Sequence, residues 1–307
     1  MAERLIVLGA VPANADGRFA PSPSGPLHLG NLRTALAAWA LARAQDARFT
    51  LRIEDLDAGR SRATVAQAQL ADLAALGVDW DGPVVRQSER SERYGRALAQ
   101  LDQGGLLYRC WCTRAEVRDA VNAPHGAAVE GGYPGTCRDL TAAQVSERDA
   151  SGRPAALRVR AGGELVRFDD RAFGPQVGVV DDFVVRRGDG AYAYNLAVVV
   201  DDHEQGIGEV VRGADLLETT PRQVWLQERL GLPRPSYLHV PLMLGPDGER
   251  LSKRHGAVTL ADRAALGETA AQVRADLAGQ LGLPFHGRPA GPDDLVAAAR
   301  ALVAAAA

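Results

Sequence analysis

One stretch constrains this chain more than any other: Arg18-Phe19-Ala20-Pro21-Ser22-Pro23-Ser24-Gly25-Pro26-Leu27-His28-Leu29-Gly30-Asn31. Three prolines between positions 21 and 26 exclude both a helix interior and a central strand there. Before them, Gly17 to Ala20 reads as a strand. After them, Leu29 to Gln45 places Leu32, Leu36, Trp39, Ala40 and Arg43 at turn spacing, the mark of a helix. A strand, an extended turn and a helix starting near His28 form a unit whose helix start points N–H groups and a positive dipole end at an anion, which suits a phosphate. Gly30 leaves room for a ligand, and His28 can donate to a phosphate oxygen. A plain strand-to-helix turn has the same outline, so the motif gains meaning only with company.

The rest of the first hundred residues continues the alternation. Arg48 to Ile53 alternates as a strand, Val65 to Leu76 reads as a helix stopped at Gly77, and Ser88 to Gln103 as another closed by Gly104-Gly105. The expected class is α/β, with a Rossmann-like parallel sheet. From Leu106 the character changes. Thr113 and Glu116 have capping-box spacing, a Gly/Pro/His loop runs from Asn122 to Gly135, and short strand signals dominate from 155 to 211: LRVRA, LVRFDD, VVDDFVVRR and YNLAVVVDD. A helix is expected from Pro221 to Leu230, a buried strand from Tyr237 to Leu244, and Ala-rich helix beyond. The expected division is 17–105 and 191–260 for the two halves of a catalytic domain, 106–190 for an inserted smaller α+β domain, and 261–307 for a short helical C-terminal region.

Several classes are poor fits. With 307 residues, 24% charged and 46% hydrophobic, the composition is that of a globular protein rather than a disordered one. A net charge of −3 argues against coating nucleic acid through phosphate neutralisation alone, although a local basic face remains open. No apolar run approaches the roughly 18 residues of a membrane span. The apolar Leu5 to Val11 before Ala13-Asn14-Ala15 resembles a short export leader, but it is too brief and Glu3 dilutes its charge, so a cytoplasmic protein is expected.

All three cysteines fall between positions 110 and 137. An odd number does not suggest disulfides, and Cys110-Trp111-Cys112 at a strand end can form half of a zinc site that Cys137 extends. The fourth ligand is His125 or Tyr133, and general ligand chemistry favours the histidine. Three buried, reduced cysteines without metal are the simpler alternative.

Far downstream, Arg250-Leu251-Ser252-Lys253-Arg254 forms a cationic loop suited to charge that develops on transferring phosphates. Of the 35 basic residues, Lys253 is the one lysine, the others being arginine as GC-rich coding favours. With His28-x-Gly30-Asn31, this loop resembles the HIGH and KMSKS signatures of class I aminoacyl-tRNA synthetases. The flanking FAPSPSGPLHLGNLRTAL, LRIEDLD (51–57), NLAVVVDDHEQGIGEVVRGADL (195–216) and GERLSKRHGA narrow the resemblance to the catalytic body of the glutamyl-tRNA synthetase group.

The resemblance implies a two-step reaction in which glutamate and ATP form glutamyl-adenylate and the acyl group passes to an RNA hydroxyl, with no protein nucleophile. It places Arg18, Ala20, Ser22, Glu54, Tyr194 and Arg212 around L-glutamate, with Glu54 facing the ammonium. His28, Gly30, Asn31, Ser252 and Lys253 fall at ATP, which ordinarily brings Mg²⁺, and His28, Asn31 and Lys253 act in catalysis. It also prefers Tyr133 over His125 as the fourth ligand of a structural zinc, because short members of the group carry a tyrosine four residues before the last cysteine.

Those short members, the glutamyl-Q tRNA(Asp) synthetases, resemble a catalytic body alone and load glutamate onto queuosine in the anticodon of tRNA(Asp). The stretch after residue 260 is too short for a helical anticodon-binding region, so the expected acceptor is the anticodon loop of tRNA(Asp), met by a monomer without membrane contact. Two departures bear on the acceptor: LSKRH replaces KMSKS, and NLRTAL looks like the full-length enzymes. A conventional synthetase body acting on tRNA(Glu), or a non-catalytic tRNA binder, is the competing expectation.

Overall fold

The computed structural model describes residues 15–121, 132–245, 247–249, 251, 256, 258–285 and 290–306. The apolar leader-like segment up to residue 14, His125, and the Ser252-Lys253-Arg254-His255 run lie outside these described residues. The first half alternates β1 (Gly17–Phe19), α1 (Leu29–Ala44), β2 (Phe49–Ile53), α2 (Ala63–Ala75), β3 (Val85–Arg86) and α3 (Ser91–Gln103). Then follow β4 (Leu107–Cys110), α4 (Arg114–Val121), α5 (Ala142–Ala150), β5 (Ala156–Val159), β6 (Glu164–Asp170), β7 (Gly174–Val180) and β8 (Val184–Arg186). The chain returns through α6 (Tyr194–Glu204), β9 (Glu209–Gly213), α7 (Thr220–Leu230) and β10 (Ser236–Val240), and closes with α8 (Leu260–Ala265), α9 (Ala270–Gln280) and α10 (Pro292–Ala306).

β2 pairs in parallel with β1 and β3, and β10 pairs in parallel with β9 and β6. The two pieces meet where Gly208 and Glu209 donate their N–H groups to the Asp16 carbonyl at 2.9 and 3.2 Å, which brings β9 alongside β1. The resulting order β3-β2-β1-β9-β10-β6 reverses its sequence direction between β1 and β9. At such a switch point the loops leaving the strand ends diverge and open a crevice.

Within the expected inserted region, β4, β5 and β8 form a separate antiparallel sheet. The β6–β7 hairpin instead extends the main array through the pairing of Asp170 with Tyr237.

Helix α1 is buried almost all round, with Leu32, Leu36 and Leu41 fully enclosed. Its alanines allow close approach: a Cβ on Gly17 of β1 would stand 3.2 Å from the Ala42 Cβ. Its two ends are held by distant segments. Leu29 N–H donates to the Val258 carbonyl at 2.7 Å, and Arg300 of α10 donates to the Ala44 carbonyl at 3.1 Å and to Asp46 at 2.7 Å.

The segment YNLAVVVDD, expected as a strand, is the helix α6. Leu196 through Asp202 are all buried, so no polar face exists to reveal the helical period, and packing overrides the β preference of three consecutive valines. VVDDFVVRR is broken by Asp181 and Asp182, whose carboxylates accept from Tyr133 N–H and Gly162 N–H. The last strand ends at Val240, before Pro241, rather than at Leu244. Among the described residues no helix is long and apolar enough to cross a membrane.

Candidate active site

A cavity of about 500 Å³ opens at the C-terminal ends of β1, β2, β9 and β10. Its wall includes Arg18, Ala20, Ser22, His28, Gly30, Asn31, Glu54, Tyr194 and Arg212, so one cleft gathers residues that the sequence spreads over nearly two hundred positions. Of the residues expected at the ATP end, Ser252 and Lys253 lie outside the described residues. Both flanks of their loop are nevertheless anchored at the cavity: Leu251 lines it and donates its N–H to the Met243 carbonyl at 2.8 Å, and Val258 binds the first residue of α1.

The proline turn is pinned from outside. Its carbonyls at Pro21 and Pro23 accept from Glu54 N–H (3.0 Å) and Arg62 N–H (3.1 Å), while the buried Gln69 amide donates to Ser22 O (3.0 Å) and Gly25 O (2.7 Å). His28 caps α1. Its Nδ1 accepts from Asn31 N–H at 3.3 Å, and the Asn31 side-chain oxygen accepts from His28 N–H at 3.2 Å, a reciprocal capping box.

With Nδ1 an acceptor, the neutral imidazole carries its proton on Nε2. Asn31 therefore shapes the helix start, and the N–H groups of Leu29 and Asn31 are already bonded within the protein. Gly30 serves the imidazole as much as any ligand, since a Cβ there would stand 3.1 Å from Nδ1.

At the other end of the cleft the charges are layered. Arg18, 3% exposed, donates through Nε to Asp202 Oδ1 at 3.0 Å and through Nη1 to the Val211 carbonyl at 3.3 Å. The same Asp202 takes Arg52 at 2.8 Å, and Arg52 also stands 3.5 Å from Glu54. Burial pushes Asp202 up, but Arg18 and Arg52 outweigh it and hold the carboxylate below its usual range. Glu54 fares differently: burial raises its pKa to about 7, opposed by Arg52 and Arg18 and assisted by Asp202.

Arg212 is 5% exposed and meets no carboxylate among the described residues. Its three nitrogens donate to His239 Nε2 (3.0 Å), Gln223 Oε1 (2.7 Å) and Thr220 Oγ1 (2.8 Å). Burial holds the His239 imidazole below its usual pKa, against the pull of Asp170. The cleft thus offers Glu54, a carboxylate with a movable proton, and two guanidinium groups, Arg212 and Arg33, that meet no carboxylate among the described residues, a set that matches a ligand bearing both an ammonium and a carboxylate.

Sequence reasoning missed Asp202, Arg52, Gln69, Thr220, Gln223, His239 and Asp170. The Asp201-Asp202 pair ending an apolar run was the available signal, and so was a lone histidine inside YLHVPL.

The cysteines converge as the spacing implied. The Sγ atoms of Cys110, Cys112 and Cys137 all lie within 4.8 Å of one another, with Cys112 and Cys137 at 3.5 Å. The Tyr133 hydroxyl joins them, 3.3 Å from Cys110 Sγ and 3.6 Å from Cys112 Sγ, and accepts from Cys137 N–H at 2.8 Å. Tetrahedral zinc with sulfur ligands at about 2.3 Å needs sulfurs about 3.8 Å apart, so this donor set fits a metal ion. The hydrogen bond between Cys110 and Cys112 draws the Cys110 thiol down, against the cost of burial, and pushes the Cys112 thiol up. The Arg158 guanidinium stacks over the Tyr133 ring at 3.7 Å.

Comparison with known proteins identifies the family. Residues 15–273 fit the model of the family "tRNA synthetases class I (E and Q), catalytic domain". A curated relative from Nocardia farcinica named glutamyl-Q tRNA(Asp) synthetase is 58% identical over 92% of this chain and 88% of its own length. One of the same name from Symbiobacterium thermophilum is 50% identical over 91% of this chain and 90% of its own. Among solved structures, the glutamate-tRNA synthetase of Elizabethkingia anophelis superposes with a TM-score of 0.77 at 28% identity, covering 92% of this chain and 65% of that one. The glutamate tRNA ligase of Elizabethkingia meningosepticum, in complex with its amino acid, gives 0.75 at 27% identity and 64% of its length, so the chain spans under two thirds of both structures. On the family match and these identities, the chain belongs to the class I tRNA synthetases of the glutamyl and glutaminyl group, sharing their catalytic domain.

Proposed function

We propose that this chain activates L-glutamate with ATP and transfers the glutamyl group to queuosine in the anticodon of tRNA(Asp). In the first step an α-carboxylate oxygen of glutamate attacks the α-phosphorus of ATP and the bond to pyrophosphate breaks. In the second, a hydroxyl oxygen of the acceptor attacks the acyl carbon, AMP leaves, and the hydroxyl proton is released. The supporting observation is that Glu54 and Arg212, a carboxylate and a cation without a carboxylate partner, share a cleft with the His28-capped start of α1. The relatives' name supplies the acceptor.

In this reading Arg212 takes the side-chain carboxylate and Glu54 the ammonium, with Arg18, Ala20, Ser22 and Tyr194 completing the glutamate site. His28 and Gly30 meet the ATP phosphates, Asn31 holds His28 in place, and Ser252 with Lys253 serves the same phosphates. Mg²⁺ would accompany ATP and neutralise phosphate charge. A second chamber of about 710 Å³ shares Ser22, Glu54 and Tyr194 with the first and brings Arg114, Arg187 and Tyr192 to its walls, and it suits the incoming acceptor nucleoside.

Cys110, Cys112, Tyr133 and Cys137 would hold a structural zinc that staples the β4-β5-β8 unit, an inserted domain between the two catalytic halves. In this reading the chain works as a monomer in the cytoplasm, where tRNA and ATP are at hand.

The test is glutamate-dependent ATP–pyrophosphate exchange, then acylation of tRNA(Asp) carrying or lacking queuosine, with tRNA(Glu) alongside. Charging of queuosine-bearing tRNA(Asp) alone is the expected result. Charging of tRNA(Glu) alone would establish a conventional synthetase body instead, and RNA binding without exchange or acylation would leave a non-catalytic binder.

A further inference from the structure

Resting on the reading of Arg212 as the group that meets the substrate's side-chain carboxylate, we propose that His239 and Asp170 are positioning residues that aim the Arg212 guanidinium while leaving its charge uncompensated. A guanidinium can only donate, so the 3.0 Å contact from Arg212 Nε makes His239 Nε2 the acceptor. The ring proton then sits on Nδ1 and is donated to Asp170 Oδ2 at 2.6 Å. Asp170 cannot swing away. It accepts from Ala172 N–H and Phe173 N–H at 3.0 Å each and from His239 N–H at 3.1 Å. Asp170, His239 and Arg212 are 2%, 0% and 5% exposed, so water does not take these places.

The division of labour is electrostatic. A carboxylate placed directly on Arg212, as Asp202 is on Arg18, would fix the guanidinium but compete with the substrate for it. Setting a neutral imidazole between acid and arginine keeps the orientation and moves the anion one residue away. Thr220 and Gln223 also bond Arg212, both from α7, and the imidazole adds a planar contact from the opposite element, β10. A ligand carboxylate then gains the full charge of a pre-aimed fork, and a carboxamide does not.

The experiment uses the full chain and ATP–pyrophosphate exchange, with KM and kcat measured for glutamate and ATP and glutamine tried as a competing substrate. His239→Asn keeps a donor toward Asp170 and loses the atom facing Arg212, whereas His239→Gln carries an acceptor out to Arg212. His239→Asn should raise the glutamate KM roughly tenfold or more, the size expected for losing a hydrogen bond to a charged group, leave the ATP KM within about twofold, and narrow the preference for glutamate over glutamine. His239→Gln should recover most of the glutamate KM. A partly misfolded preparation lowers kcat through its active fraction and leaves KM readable.

An unchanged glutamate KM in His239→Asn, an equal rise in both KM values, or no rescue by His239→Gln overturns the proposal. A wild-type chain whose exchange ignores glutamate would overturn the proposed function and this inference with it.

Discussion

Arg18 of β1 donates to Asp202 of α6 at 3.0 Å across 184 residues of sequence, and Arg52 of β2 reaches the same carboxylate at 2.8 Å. One buried acid therefore ties together the strand that begins the cleft, its neighbour, and the helix α6. Asp202→Asn would leave two buried cations sharing too little negative charge. The expected loss is about 3–5 kcal/mol, read from urea unfolding midpoints; a variant as stable as the parent would show that the arginines are neutralised elsewhere.

In the proposed glutamate site, Glu54 should set the pH response of binding. With its pKa raised to about 7, chiefly by burial, it holds a proton that an ammonium ligand must displace. Affinity for glutamate should rise about tenfold per pH unit up to about 7 and then level, with proton release visible as a buffer-dependent heat in calorimetry. The same shift has a stability sign. Between the ordinary value of 4.5 and about 7 the folded chain keeps a proton that the unfolded chain has lost, so Glu54 disfavours folding increasingly as pH rises through that window. Affinity that does not change across it would contradict the assignment.

The sulfur cluster should be a metal site. Protein purified without chelator is expected to carry one zinc per chain, and Cys137→Ser to lose most of it along with several degrees of thermal stability. Tyr133→Phe should weaken retention about tenfold or more if the phenol oxygen is the fourth ligand. Metal analysis by mass spectrometry decides, and metal-free protein of full stability would leave only three clustered free thiols.

Gln69 holds the proline turn through the Ser22 and Gly25 carbonyls. Gln69→Ala strands both acceptors, at a cost of about 1–3 kcal/mol, and loosens the surface that meets the phosphates. The ATP KM should rise more than the glutamate KM in exchange kinetics. A larger effect on glutamate would mean that the turn serves the amino acid instead.

Gly178 lies where β7 passes under α7, and an added Cβ would fall 2.3 Å from Pro221 Cγ. Gly178→Ala should cost about 1–3 kcal/mol in denaturant unfolding while activity per folded molecule stays at the parent level. Unaltered stability would mean that α7 shifts freely.

What could be read in advance followed from residues with few physical alternatives. Prolines at 21, 23 and 26 before a histidine and a glycine admit little but a turn into a helix start, whereas Glu54 was reached only through the resemblance of LRIEDLD. Three cysteines so near one another implied a cluster, and they form one. The valine-rich α6 was misread because a helix buried on all sides has no visible period. Asp202 was lost with it. The setting of Arg212 was beyond reach for another reason: its partner His239 and that residue's partner Asp170 lie 27 and 69 positions apart, and nothing local links them.

The clasp on α1 has a consequence for how this chain comes into being. The helix bearing His28 completes its first turn with a carbonyl from residue 258 and is capped at its last by an arginine at position 300. A ribosome making the protein exposes α1 early, yet the two clasps can form only once the residues around 258 and 300 have emerged. An element made early thus gains its end contacts from segments made much later, and the proline turn that leads into it waits on them.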